Sequence, residues 1–248
     1  MIEIPLFHDE NFLDCQESDI GRFVFLPGDP GRVPIIAEYL DEAVEVARNR
    51  EFLTFTGSLL GEKVSVTSTG IGCPSTGIAV QELINRGAEV LIRVGTSGMM
   101  QPHMQTGDLV ITWGAIRDEF TSQQYIPLSF PAVADLDVSM ALEASAKKLG
   151  IHSYTGISHT KDSFFGQHEP KRMPVKDKLL RRWKAWQQGG ALCSEMEAST
   201  LLVLSSISKI KAGALMVVGS SQQDLENLIL TAIGAVKILI QQEDERAI

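Results

Sequence analysis

Phe25-Leu26-Pro27-Gly28-Asp29-Pro30-Gly31-Arg32 closes the apolar run Phe23 to Leu26 with a turn punctuated by two glycines and two prolines. Beyond it, Val33, Ile36, Ala37 and Leu40 recur at helical spacing. The order is therefore buried strand, tight turn, helix. A turn of this kind presents backbone N–H groups and, at Arg32, a forked cation to one small anion, for which phosphate is the natural partner. An ordinary surface turn has the same composition, so the weight of the reading rests on the segments that surround it.

The same alternation runs through the chain. Phe52 to Leu60 and Lys63 to Ser68 flank Gly61 as a hairpin, and Pro74 and Ser75 open a helix that stops at Gly87. Val90 to Val94 is a β-branched strand that leaves through Gly95-Thr96-Ser97-Gly98, small residues with free N–H groups at a strand's carboxyl end. Leu109 to Ile116 reads as a strand, Val138 to Leu149 as a helix closed by Gly150, and residues 171–190 as a helix carrying Trp183 and Trp186 on one side. Met196 to Ile207 is helical, Ala212 to Val218 a buried strand, and Leu225 to Gln241 a terminal helix. This predicts an α/β fold: one domain over residues 1–248, with a mixed, largely parallel central sheet flanked by helices. Ligands in such sheets sit beyond the strands' carboxyl ends, where these glycine-rich exits fall.

Composition bounds the function. With 44% hydrophobic and 21% charged residues the chain reads as a folded, soluble protein, and its net charge of -9 opposes binding to nucleic acid. A pocket can still concentrate arginines for a small anion. Cys15, Cys73 and Cys193 are too few and too scattered for a metal or disulfide framework, which points to a reducing compartment. Residues 1–20 are acidic and lack a secretory signal's basic start and apolar run, while Leu228 to Ile240 is interrupted by Lys237 and falls short of the ~20 residues of a membrane span. The expectation is a cytoplasmic protein with no membrane partner.

Five further segments follow the turn: Arg48-Asn49-Arg50-Glu51-Phe52, Thr69-Gly70-Ile71-Gly72-Cys73-Pro74-Ser75, Arg93-Val94-Gly95-Thr96-Ser97-Gly98, Gln101-Pro102-His103 with Gly107-Asp108, and Ser194-Glu195-Met196-Glu197. In this order they resemble the nucleoside phosphorylase family, most closely its uridine phosphorylase branch, over about Phe7 to Ile240. The resemblance implies a pentosyltransferase of pyrimidine salvage that converts uridine, and 2′-deoxyuridine, with phosphate to uracil and the sugar 1-phosphate. It implies no cofactor beyond inorganic phosphate as co-substrate. Phosphate falls to Gly28, Arg32, Arg93 and Thr96, with Arg50 reaching in from a neighbouring subunit. Ribose falls to His8, also from a neighbour, and to Thr96, Glu195, Met196 and Glu197, with Arg93 and Glu197 as the catalytic pair. The base falls to Phe164, Gln167 and Arg172. Glu51, the Ile71 carbonyl and Ser75 would hold a monovalent cation, K+, between paired subunits. The expected assembly is a homohexamer, a trimer of dimers whose active sites are shared.

Read without the resemblance, these residues keep plainer alternatives. Arg93 inside Leu91-Ile92-Arg93-Val94 must be paired, by an anion or by an internal salt bridge. Glu197 suits the start of a helix as an N-terminal charge. Phe164 suits a core, and Glu51 beside Arg50 an interface ion pair. Two positions also depart from the family pattern. Glu169 stands where an arginine is expected after Gln167, which a local gap would move to Arg172, and Gly219-Ser220 replaces an Asn-Arg pair. No purine-protonating aspartate stands near Gly219 either. Altered base specificity, or weak nucleoside binding without turnover, is therefore the alternative. A nucleosidase would not need Arg32, Arg50 and Arg93 at one anion.

Overall fold

The computed structural model describes residues 11–219 and 221–246. β1 (Phe23–Leu26) is buried at every residue and leads into a 3-10 turn, Pro30–Arg32, whose start is fixed by Asp29: its side chain accepts a hydrogen bond from Gly31 N at 2.8 Å. α1 (Val33–Ala37) follows, one turn shorter than the periodicity predicts. Next come β2 (Asp41–Asn49), β3 (Phe52–Leu59), β4 (Glu62–Thr67) and α2 (Cys73–Asn85). β5 (Val90–Met99), β6 (Leu109–Asp118) and the short β7 (Ala132–Val133) precede α3 (Leu136–Leu149), capped by Asp135 at its start and by left-handed Gly150 at its end. The remainder is β8 (Ser153–Lys161), α4 (Phe164–His168), α5 (Lys176–Gln188), β9 (Cys193–Glu195), α6 (Ala198–Ser208), β10 (Lys211–Val218) and α7 (Gln222–Arg246).

The sheet is mixed. Parallel pairings radiate from β1, β5 and β8, and antiparallel ones add the β2–β3–β4 meander on one flank and β6, β7 and β9 elsewhere. β5 continues five residues past the predicted Val94, because β10 accompanies it to Ser97↔Val218 and β9 then pairs Gly98↔Ser194. Since β10 also pairs β6, β6 pairs β8 and β8 pairs β9, five strands close on themselves. That closure carries the carboxyl end of β5, the end of β8 and the β9–α6 junction to one place.

Helices cover both faces. Val138 and Leu142 of α3 pack with Leu228, Ile229, Ile233 and Val236 of α7 on one side of the sheet. Ala79, Val80 and Leu83 of α2 pack with Leu201, Leu202 and Leu204 of α6 on the other. Each Val, Leu or Ile among them contributes roughly 1.5–3 kcal/mol by burial, which gives the loops above a packed platform.

Two strands escape the sequence pattern. β2 is an edge strand paired, among the described residues, only with β3, mostly solvent-facing and carrying Asp41, Glu42, Glu45 and Arg48, so it shows no apolar alternation. β8 ends in the polar run Ser158-His159-Thr160-Lys161, buried yet polar because the side chains of His159, Thr160 and Lys161 bond to β9 and β6.

Candidate active site

Beyond the carboxyl ends of β1 and β5 lies a cleft of about 800 Å³, bounded by the turn after β1, the exit of β5, the β9–α6 junction and α4. Arg93 sits at its base, 5% exposed, in register with Leu26 of β1 and Ala214 of β10. Its side chain folds back over Gly95: a Cβ built there would meet Arg93 Cζ at 2.8 Å, so only glycine lets the guanidinium lie flat. Nη2 is 2.6 Å from Glu197 Oε2 and Nε 3.1 Å from Glu195 Oε2. Nη1 is buried with no hydrogen-bond partner among the described residues, and it faces Gly28, where an added Cβ would lie 3.9 Å away. The internal salt bridge offered for Arg93 is therefore present, through Nη2 and Nε, while Nε, like Nη1, has no hydrogen bond among the described residues and Nη1 lies toward Gly28 on the cleft wall.

Arg32 completes that side. Its Nε is buried, unpartnered among the described residues, and 3.9 Å from Asp29 Oδ2. Burial pushes the guanidinium below its ordinary range; Asp29 opposes this and Arg93 adds to it. Two guanidinium groups lining one cleft, each with a buried nitrogen that makes no hydrogen bond among the described residues, match a multiply charged oxyanion. Gly28 and Thr96 line the same wall.

The two glutamates divide the labour. Glu195 is wholly buried; its Oε2 accepts from the backbone N–H of Glu197 at 2.8 Å and Ala198 at 2.7 Å, and its Oε1 accepts from the Thr160 hydroxyl. It caps α6 and anchors Arg93. The helix-start role that the sequence offers Glu197 thus belongs to Glu195, whose oxygens are committed to protein rather than to a sugar. Glu197 is 5% exposed, accepts from Gly72 N at 2.6 Å, and lies on the cleft wall beside Met196. Burial pushes its carboxyl upward, Arg93 restrains it, and Glu195 adds to the rise. The Cys73 thiol, donating to Met196 O at 3.2 Å, pins the intervening turn.

On the opposite side Phe164 is half exposed and stacks on His168, with ring centroids 4.1 Å apart. Gln167 accepts from Ser194 Oγ at 2.7 Å and lines an adjoining cavity of about 610 Å³ roofed by Leu179, Trp183 and Trp186 of α5. Arg172 lines neither space; its guanidinium turns to Glu169 and is mostly in solvent. Gly219 does line the cleft, at φ 115°, where a Cβ would strike Thr106 Cγ2 at 2.7 Å and Asp224 Oδ2 at 2.9 Å. This backbone leaves no room for a side chain there, which accounts for the first half of the Gly219-Ser220 departure.

Arg50, in the left-handed turn between β2 and β3, lies 5.7 Å over the Phe12 ring and does not line its own chain's cleft. Glu51, Ile71 and Ser75 come together at the cleft's rim: Ser75 Oγ is 2.9 Å from Glu51 Oε1 and 2.6 Å from Thr69 O. That donor set is all oxygen, the chemistry a hard cation requires. His8 lies outside the described residues. Sequence reasoning missed Lys161 and His168, which line both spaces; Lys161, directly before the Asp162-Ser163-Phe164 segment, was the available signal.

The sequence profile of the Phosphorylase superfamily matches residues 22–236, from the approach to β1 into α7. The chain belongs to the phosphorylase superfamily. Within that family it is 45% identical over 249 residues to the uridine phosphorylase of Treponema pallidum (strain Nichols), covering 96% of each chain. It is 37% identical to the uridine phosphorylase of Escherichia coli (strain K12), covering 97% and 98% respectively. A guanosine phosphorylase of Halorubrum lacusprofundi is 36% identical, with 82% of this chain and 80% of that protein covered.

Proposed function

We propose that this protein is a uridine phosphorylase, converting uridine or 2′-deoxyuridine and inorganic phosphate to uracil and the pentose 1-phosphate. The observation that carries the reading is Arg93, held by Glu195 and Glu197 with Nη1 turned to Gly28, in the same cleft as Arg32, whose buried Nε makes no hydrogen bond among the described residues. Phosphate held there by Arg32, Arg93, Gly28 N–H and Thr96, with Arg50 of a neighbouring subunit, sits below the anomeric carbon. Glu197 and Met196 take the ribose, with Thr96 and a neighbour's His8. Phe164 stacks on the base and Gln167 reads its edge. As the C1′–N1 bond breaks, its electron pair leaves with the base while a phosphate oxygen bonds to C1′. Positive charge builds on the sugar between an anion and the Glu197 carboxylate, so stabilisation grows toward the transition state.

The reading requires phosphate as co-substrate and no other cofactor; Glu51, the Ile71 carbonyl and Ser75 would hold K+ at a subunit boundary. It takes residues 1–248 as one domain and the assembly as a hexamer of three dimers with shared sites. Exposed Trp113, Phe120, Leu136 and Met140 support burial against other subunits. Three free, buried cysteines support a cytoplasmic protein, and no helix among the described residues is long and apolar enough to cross a membrane.

A second reading, a nucleoside phosphorylase of different base preference, is favoured by the cavity beside Gln167 and by Gly219. The test is free-base release from uridine, 2′-deoxyuridine, thymidine, inosine, guanosine and adenosine, with and without phosphate. Phosphate-dependent release confined to the pyrimidines is expected. Release from purines selects the second reading, release without phosphate identifies a nucleosidase, and saturable uridine binding without turnover identifies a binding protein.

A further inference from the structure

We propose that Lys161 supplies the positive charge that the departing base meets in this chain. Lys161 ends β8 and is 6% exposed. Its ammonium donates to Ser194 Oγ at 3.0 Å, and no carboxylate lies within 4.0 Å of it among the described residues. The other cations of the two cavities are engaged elsewhere: Arg32 and Arg93 at the turn after β1, Arg182 in an ion pair with Asp118. Together with Gly98 and His168, Lys161 is common to the cleft and the side cavity, so it stands where the two meet. Ser194 joins it to the base-reading residue, since the same hydroxyl donates to Gln167 Oε1 at 2.7 Å. The ammonium and the Gln167 amide are two hydrogen-bond lengths apart at most.

A buried ammonium with one hydrogen bond and no ion pair costs several kcal/mol. Burial pushes its pKa down; Glu195 and Glu197 oppose that from the β9–α6 junction, and Arg93 adds to it. Arg93 brings one positive charge against the two glutamates, so Lys161 balances the second at longer range, while one of its three N–H donors has a partner among the described residues. A leaving pyrimidine accepts from the others. When C1′–N1 breaks, the bonding pair passes into the ring and spreads over N1, O2 and O4, making an anion that takes a proton from water after departure. A cation beside Gln167 meets that charge as it forms.

The inference rests on the phosphorolysis reading, and its test separates the two. In full-length protein, Lys161→Met and Lys161→Gln are compared with wild type for binding of uracil and of the 5-nitrouracil anion by calorimetry. Turnover of uridine and of 5-fluorouridine, whose base leaves more readily, is measured alongside. Wild type should prefer the anion and both variants should lose that preference. Turnover of uridine should fall about a hundredfold and that of 5-fluorouridine distinctly less, with the KM for phosphate unchanged; Lys161→Arg should recover part of the loss. An unaltered preference for the anion, equal losses on both nucleosides, or a raised phosphate KM would overturn the assignment. If wild type turned over no uridine the phosphorolysis reading would fall, while the binding comparison would still decide Lys161.

Discussion

Arg93 and its two carboxylates set the chemistry at the scale of single residues. Both carboxylates line the cleft, but the oxygens of Glu195 are taken up by Thr160, two backbone N–H groups and Arg93. Glu197→Gln keeps the shape and the Gly72 N–H bond but removes the charge, and turnover is expected to fall at least tenfold with little change in phosphate KM. The same variant carries a pH signature. Glu197 has its folded-state pKa raised, first by burial. The native state therefore binds more protons than the unfolded chain between the ordinary carboxylate value and the raised one. Stability drops as pH rises through that window, and the cost stays in full above it. Denaturant unfolding across pH should show this decline in wild type and a flatter profile in Glu197→Gln; identical profiles would count against the environment assigned to Glu197. At this scale the sequence located the turn of Gly28 and Arg32, which the structure places on the cleft, because that chemistry is local. It was silent where a role is set by distant strands. Glu195 reads like a second sugar ligand until Thr160 and the α6 N-terminus are seen to occupy it, and Arg172 reads like a base ligand until Glu169 claims it.

At the scale of elements, the β9–α6 junction is what holds the site in register. Glu195 satisfies two of the backbone donors that open α6 and at the same time fixes Arg93 on β5. Glu195→Gln breaks a buried ion pair, and its expected cost is about 3 kcal/mol or more, read as a lowered denaturation midpoint together with lost activity. A variant of native stability would remove Glu195 from this role. Elements with strong apolar periodicity, such as β1, α2, α3 and α7, were legible in the sequence within a few residues. β8 was not, because its last residues, His159, Thr160 and Lys161, are polar side chains buried by bonding to their neighbours. β5 was read short because its extension depends on β10 and β9, partners more than ninety residues away in sequence.

At the scale of the whole molecule, the strand closure gathers the cleft from one chain, while Arg50 lies outside that chain's own cleft. If Arg50 serves a neighbour, co-expressed Arg50→Ala and Arg32→Gln chains, each inactive alone, should form mixed oligomers with partial activity. Absence of recovery in mixed oligomers of normal size would assign Arg50 no shared role. The alternation of strand and helix patterns indicated the class of fold; subunit arrangement leaves almost no mark on a single sequence, because it is set by surface shape. The most direct measurement of the central claim is equilibrium binding of inorganic phosphate to wild-type protein and to Arg32→Gln, in which Arg93 and its carboxylates are untouched. Two guanidinium groups converging on one oxyanion predict that the variant binds phosphate at least tenfold more weakly. Equal affinity in the two proteins would contradict it.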